Sequence, residues 1–310
     1  MEKTASIVFE LHFYERLLKD LNLLDIIIYG SIYLSLGAAA TMYASCLLLG
    51  LPPSPALMFI AFSSTFAIYN FNRLTDKKED VINHPERYKF NIKYGHTFME
   101  IAVLIYAISF LLTAQKGIFA LLVLLFPLVM GGLYSIKLPS LHRRIHGKEK
   151  YARLKDIPLV KSLTATTAWT VSMTFLPIFY FSTNIGLSVL FVFLLIFGRF
   201  LISSIAFDIR DIEGDKLHGI HTIPVIWGVK KSKEILIIIN MTIFTTITIA
   251  TYAGILPVLT YSVITLSTLF TDAYLMLVPS SFDPVILYDV IIDGEFIAFG
   301  IFALLGKMIT

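Results

Sequence analysis

Charge is scarce in this chain of 310 residues: Lys, Arg, Asp and Glu make up 15% of it, where soluble domains carry about 25%. That scarcity excludes a soluble globular fold, because too little polar surface is left to face water. With 56% of residues hydrophobic, lipid is the solvent the composition asks for. Cysteine is nearly absent as well. The one thiol, Cys46, rules out an intramolecular disulfide, and inside an apolar run it reads as small core filler. The N-terminus lacks the charge-free apolar core of a signal peptide. Glu2, Lys3, Glu10, Glu15, Arg16, Lys19 and Asp20 alternate there with Ile7, Val8, Phe9, Leu11, Phe13, Leu17 and Leu18, at a spacing that predicts an amphipathic helix lying on the membrane surface.

The apolar residues are arranged in long runs. No charged side chain falls between Asp25 and Arg73, which is too long for one crossing of a hydrocarbon core that takes about 20 residues. Gly50-Leu51-Pro52-Pro53-Ser54-Pro55 breaks it, predicting spans near 26–49 and 56–72. Further runs lie near 98–114, 118–136, 158–180, 185–207, 234–253, 256–278 and 287–306. The fold class is therefore all-α, a multi-pass transmembrane bundle of about nine helices. Asp289, Asp293 and Glu295 interrupt the last run. Basic residues are absent from alternate connections. The N-terminal segment and the second, fourth and sixth connections hold 21 Lys and Arg, whereas the first, third, fifth and seventh hold Lys116 alone. By the positive-inside rule this places the N-terminus and the even connections in the cytosol, as expected of a multi-pass protein of the cell membrane. No nucleic-acid partner is expected.

Two acidic motifs follow matching spans. Asn72, Asp76 and Asp80 stand at i, i+4 and i+8, along one helical face. Asp208, Asp211 and Asp215 stand at i, i+3 and i+7, and each of Asp76 and Asp80 lies 135 residues before its counterpart Asp211 or Asp215. Four helices separate the copies, so both sit at cytosolic helix ends. The pattern predicts a single domain over 1–310 with a degenerate repeat, roughly 20–157 and 158–310. Carboxylates of this kind suit Mg²⁺, a hard cation that bridges oxygens to phosphate. Two facing sets would hold magnesium and through it clamp a diphosphate, easing its departure from an allylic carbon, while the bundle beneath shields the carbocation from water. The alternative for each motif alone is a solvated helix end with i,i+4 ion pairs.

The two motifs resemble the paired aspartate-rich motifs of the UbiA superfamily of intramembrane prenyltransferases. The stretch DIRDIEGDKLHGIHTIPVIWG from Asp208 to Gly228 is similar to the family's second motif and the Gly-x-x-Thr-x-Pro element after it. Tyr134-Ser135-Ile136-Lys137 resembles the family's tyrosine-to-lysine element. The chain departs from the pattern at Arg73, where members often carry Asp, and at Asn83-His84-Pro85-Glu86-Arg87, a reduced form of an Arg-Pro-rich stretch. The resemblance implies nine helices around a central cavity, capped by the connections after helices two and six. It implies transfer of a prenyl group from a polyprenyl diphosphate, such as geranyl or geranylgeranyl diphosphate, to a lipophilic acceptor, with Mg²⁺ as cofactor. Asp76, Asp80, Asp211 and Asp215 would be the catalytic carboxylates, joined as metal ligands by Asn72 and Asp208. Asn72, Arg73, Tyr134, Lys137 and Lys161 would contact the diphosphate.

Other candidates stand beside these. Tyr134 and Lys137 also fit a snorkelling interfacial pair, and Lys161 lies close enough to its helix start to reach the interface. Arg199, nine residues before Asp208 and so about 13 Å deeper, calls for an internal acid or a place on the cavity wall, with Asp272 and Glu295 as partners or acceptor-site groups. His218 and His221, without nearby cysteine, read as loop polar residues. The rival functions are a secondary transporter, whose ion-coupling groups belong near the midplane, and a catalytically silent membrane scaffold.

Overall fold

The computed structural model describes residues 21–75, 85–135, 138–145, 148–152, 160–217, 220–279 and 283–310. The predicted N-terminal surface helix therefore lies outside the described residues. Helix α1 (Leu23–Tyr29) starts at a reciprocal cap, in which the Asn22 side chain accepts from the Asp25 amide and the Asp25 carboxylate accepts from the Asn22 amide. It meets α2 (Ile32–Leu48) at a bend of 57°. Ser31 adopts φ 64° there, and the Gly30 carbonyl released by the break accepts from Asn70 Nδ2 at 3.2 Å. Then come α3 (Pro55–Thr75), α4 (Pro85–Ala114) and α5 (Ile118–Ser135). Proline opens both α3 and α4, at the position where its missing N–H is not needed. An antiparallel hairpin, β1 (Leu138–Ile145) with β2 (Lys148–Ala152), leads to α6 (Val160–Tyr180) and α7 (Leu187–Arg210). The short α8 (Ile212–Leu217) precedes α9 (Ile223–Tyr252), which is broken at Gly228 with φ 77°. After α10 (Thr260–Leu277), a π-helical run Val285–Ile292 passes directly into α11 (Asp293–Ile309).

Counting α1–α2 and the π-helical run with α11 as one span each, the described residues form nine helical spans. Three of the helices (α4, α7 and α9) are long and apolar enough to cross a membrane on composition alone. Others are diluted by Ser, Thr and Asn, and these turn inward. On α6, Ser162, Thr164, Thr166, Thr170, Ser172 and Thr174 are all buried. Thr164 and Thr170 donate to carbonyls four residues back, at 2.7 Å each, which satisfies their hydroxyls inside their own helix. The outward surface is apolar instead: α4 exposes Ile101, Val103, Leu104, Ile108 and Leu111.

The spans close into a ring. α2 packs on α3, α5 on α6, α6 on α7, α7 on α9, α9 on α10 and α10 on α11, and α11 returns to α2, while α4 flanks α3 and α5. Successive spans run in opposite directions, so the N-terminal ends of the odd spans and the C-terminal ends of the even ones share one face. Away from that face, Ser45 Oγ donates to the Met173 carbonyl at 2.6 Å and ties α2 to α6 across the ring. Midway, Arg199 is buried on α7. It pairs with Glu295 at 3.5 Å and donates to Thr271 Oγ1 at 2.7 Å, and Tyr274 Oη donates to Glu295 at 2.9 Å. This network joins α7, α10 and α11, and Glu295 is the partner that Arg199 required. Asp272 instead accepts from Asn240 Nδ2 at 2.8 Å.

The ring closure depends on small residues. A Cβ added to Gly300 would come within 2.7 Å of the Ala40 Cβ and 2.8 Å of its carbonyl oxygen, so α11 and α2 touch backbone to backbone. Gly300→Val is expected to lower stability by about 1–3 kcal/mol, the usual cost of overpacking. Thermal unfolding in detergent micelles checks it, and Ala40→Gly should return part of the loss in Gly300→Ala.

Candidate active site

The shared face of the ring opens into a cavity of about 300 Å³. Its rim is charged because the helix ends there carry the polar residues that the spans exclude. Lys161 is the second residue of α6, Asp208 lies in the last turn of α7, and Asp215 is on α8. The Lys161 ammonium sits 3.1 Å from Asp208 Oδ1 and 3.0 Å from Asp215. Ser162 Oγ also donates to Asp208. Burial pushes the Asp215 carboxyl above the ordinary carboxylate range, and the Lys161 charge works against that rise.

Arg210, the last residue of α7, makes the second junction. Its Nε donates to Asp211 Oδ1 at 2.8 Å and one terminal nitrogen to Asp289 Oδ1 at 3.1 Å. The guanidinium lies 4.7 Å from the Phe207 ring centre and 5.4 Å from that of Tyr288, the stacked and forked geometry that arginine favours. It thus links the second acidic motif to the π-helical run. Across the mouth, Arg73 donates to the Ile28 carbonyl at 3.4 Å, and Asn91 Nδ2 donates to the Arg73 carbonyl at 2.6 Å, holding the end of α3 against α1 and α4. A second cavity of about 240 Å³ adjoins the first, with Arg73, Arg87 and Tyr134 lining both and Asn72 lining only the second. Below the rim the wall is aromatic: Tyr69 stacks on Trp169 with centres 6.0 Å apart, and Phe200 on Phe296 at 4.6 Å.

Of the residues singled out by sequence, Arg73, Tyr134, Lys161, Asp208 and Asp211 line the main cavity. Asn72 lines its neighbour, and Asp215 stands behind Lys161. Asp76, Asp80, Lys137 and His218 lie outside the described residues; His221 is exposed. Among the described residues no three His, Cys, Asp or Glu side chains converge on one metal position. The donor chemistry still suits a hard divalent cation with a phosphate, since carboxylates and cationic side chains face the same cavity. Sequence reasoning did not select Arg87, Arg210, Asp289 or Asp293 for the site, yet all four line this cavity. The available signal for the last two was two acids, four apart, inside an apolar run.

A family model described as the UbiA prenyltransferase family matches residues 36–281. The chain belongs to that family. Three solved structures share its fold at low sequence identity. A UbiA homologue from Aeropyrum pernix K1 is 15% identical, with a TM-score of 0.59 over 89% of this chain and 97% of that one. A UbiA homologue from Archaeoglobus fulgidus bound to GPP and Mg²⁺ is 15% identical, with a TM-score of 0.55 over 90% and 99%. A digeranylgeranylglyceryl phosphate synthase is 15% identical, with a TM-score of 0.54 over 93% and 97%. No curated protein matches the sequence significantly. Membership in the UbiA family makes the chain an intramembrane protein of prenyltransferase type, and the apolar outer surface of its ring agrees with that setting.

Lys161 neutralises two buried carboxylates at once, so its loss should be felt in the fold itself. Lys161→Met is expected to cost about 3–5 kcal/mol, the range for removing one partner of a buried pair. Guanidine-free thermal melts in nanodiscs measure this. Adding Asp208→Asn or Asp215→Asn to the variant should recover part of the loss, and no recovery from either would deny the charge pairing its role.

Proposed function

We propose that this UbiA-family chain catalyses Mg²⁺-dependent transfer of a prenyl group from a prenyl diphosphate to a lipophilic acceptor, an aromatic ring or a hydroxyl compound, with release of pyrophosphate. The observation that carries the reading is a rim of Arg73, Arg87, Lys161, Asp208 and Asp211 above an aromatic wall. An amphiphilic diphosphate has the same two-part character. Homologous structures bound to GPP or DMAPP together with Mg²⁺ support the choice of donor and metal.

Asn72, Asp76, Asp80, Asp208, Asp211 and Asp215 would hold the magnesium, which when bound neutralises the charge developing on the leaving diphosphate. Arg73, Tyr134, Lys137 and Lys161 bind the diphosphate oxygens and orient them toward the rim. Lys161 has a further task, since its contacts with Asp208 and Asp215 keep the second motif facing the cavity before substrate arrives. The aromatic wall holds the prenyl chain and keeps water from the allylic cation. The alternation of basic connections supports a mouth and N-terminus on the cytosolic side. A transporter would need ion-coupling acids near the midplane; Glu295 is bonded to Arg199, Thr271 and Tyr274, and Asp272 to Asn240.

The test supplies purified full-length protein with Mg²⁺, labelled geranyl or geranylgeranyl diphosphate, and acceptors spanning a hydroxybenzoate, a quinol precursor, a porphyrin and a glycerol-phosphate lipid. Pyrophosphate release with at least one acceptor is expected. It should fall by about 10²-fold or more in Asp76→Asn and in Asp211→Asn and vanish with chelator. Equal release from both variants and the parent protein would refute the assignment.

A further inference from the structure

Asp293, the first residue of α11, lines the main cavity. The other carboxylates on that wall are engaged: Asp208 with Lys161 and Ser162, and Asp211 and Asp289 with Arg210. Among the described residues the Asp293 carboxylate makes no hydrogen bond or ion pair, while its backbone N–H donates to the Tyr288 carbonyl. Its position is fixed from two sides. The π-helical run Val285–Ile292 leads straight into it, and such wide turns recur at functional sites. Tyr33 Oη donates to the Val290 carbonyl at 3.0 Å. A Cβ on Gly294 would stand 2.6 Å from that same Tyr33 oxygen, so the tyrosine of α2 lies closely against this turn beside Asp293.

Depth gives the residue its meaning. Asp293 lies four residues beyond Asp289, farther along the span from the rim, and the next cavity-lining residue on its helix is Phe296, stacked on Phe200. It therefore stands where the charged rim gives way to the aromatic wall. A prenyl diphosphate changes from polar to apolar at C1, so C1 comes to rest at the same boundary. We infer that Asp293 is the base for the prenyl acceptor, which carries a hydroxyl group: Asp293 accepts that hydroxyl's hydrogen bond and takes its proton during transfer. The inference rests on the prenyl-transfer reading. In the step, the bond between C1 and the diphosphate oxygen breaks with its electron pair leaving on the diphosphate. The acceptor oxygen forms the new bond to C1; where the ring carbon conjugated to it bonds instead, the dienone so formed returns to the phenol as its ring proton leaves carbon and the oxygen regains a proton. The hydroxyl proton passes to an Asp293 carboxylate oxygen. Burial and the neighbouring Asp289 oppose the ionised form of this carboxyl, and Arg210, Arg73 and Arg87 on the facing elements favour it. Asp272 and Glu295, the acids on the last two spans that the sequence offered for the acceptor, are bonded to Asn240 and Arg199 and do not line this cavity.

The experiment uses the full chain in nanodiscs, in a Trp227→Phe background so that Trp169 on the cavity wall reports binding. Quenching by 2-naphthol is compared with quenching by its methyl ether, which lacks the proton. The parent protein should prefer the naphthol by about 10-fold or more, as a hydrogen bond to a charged group implies, and Asp293→Asn should cut the preference to about 2-fold or less. Binding of magnesium pyrophosphate should stay within about 2-fold, showing that the rim is intact. In turnover, Asp293→Asn should lower kcat for transfer by about 10²- to 10⁴-fold, with prenyl alcohol appearing as water captures the cation, and Asp293→Glu should regain part of the rate. A naphthol preference or a transfer rate that Asp293→Asn leaves unchanged overturns the base. Absence of pyrophosphate release from any donor by the parent protein overturns the prenyl-transfer reading, and the base with it.

Discussion

A hydrocarbon interior offers no water to a polar group, so each one must find its partner within the protein. This constraint shapes the molecule from the single hydroxyl upward. Thr164 and Thr170 return their protons to their own helix. Asn70 occupies the carbonyl released where α1 meets α2. Where a whole charge is buried, it recruits several elements: Arg199 and Glu295 draw α7, α10 and α11 together. At the mouth, Lys161 gathers Asp208 and Asp215, and Arg210 gathers Asp211 and Asp289. Such pairs add little net stability compared with apolar packing, but an unpaired member would be costly. Their effect is to specify which helix ends meet.

The same pairing produces the reaction vessel. Helix ends drawn together by charge form a polar rim, and the spans below line the cavity with apolar, aromatic and hydroxyl side chains. The floor is closed by contact between α2 and α6 at Ser45 and Met173. Electrostatic interactions at such a rim are stronger than in bulk water, since one side of the site is walled by protein of low polarity. The cavity thus separates two jobs by depth. Cations and carboxylates handle a diphosphate at the top, and rings handle a chain beneath. Asp293 lies on the line between them.

How much of this could be read beforehand varied with the range of the interactions involved. Hydropathy located nine spans because lipid exposure acts on every residue of a run. It placed the start of α4 too late, near 98, because the extension from Pro85 carries Arg87, Lys89, Lys93 and Glu86 and reads as a loop. The break at Ser31 fell inside a run without charge, where nothing local marks a left-handed residue. The hairpin β1–β2 was hidden in a connection seen only as basic. Asp208, Asp211 and Lys161 were legible as site residues because ionisable groups near apolar spans are rare. Arg87 and Arg210 stand in the sequence only among the basic residues of the connections, since their value depends on facing the cavity.

The order of lipid-facing and polar segments, their alternating charge and the spacing within each acidic motif were all properties of the linear chain, because each is set by the residue types along the chain and needs no contact between distant segments. Which acid meets which base was decided only when the ring closed. Lys161 lies 54 residues from Asp215, and Arg210 lies 79 from Asp289, distances over which no helical periodicity carries information. Asp289 and Asp293 looked like blemishes in the ninth span. Packing of α11 against α2 and α10 turned them to the cavity, and geometry of that kind is a property of the closed bundle.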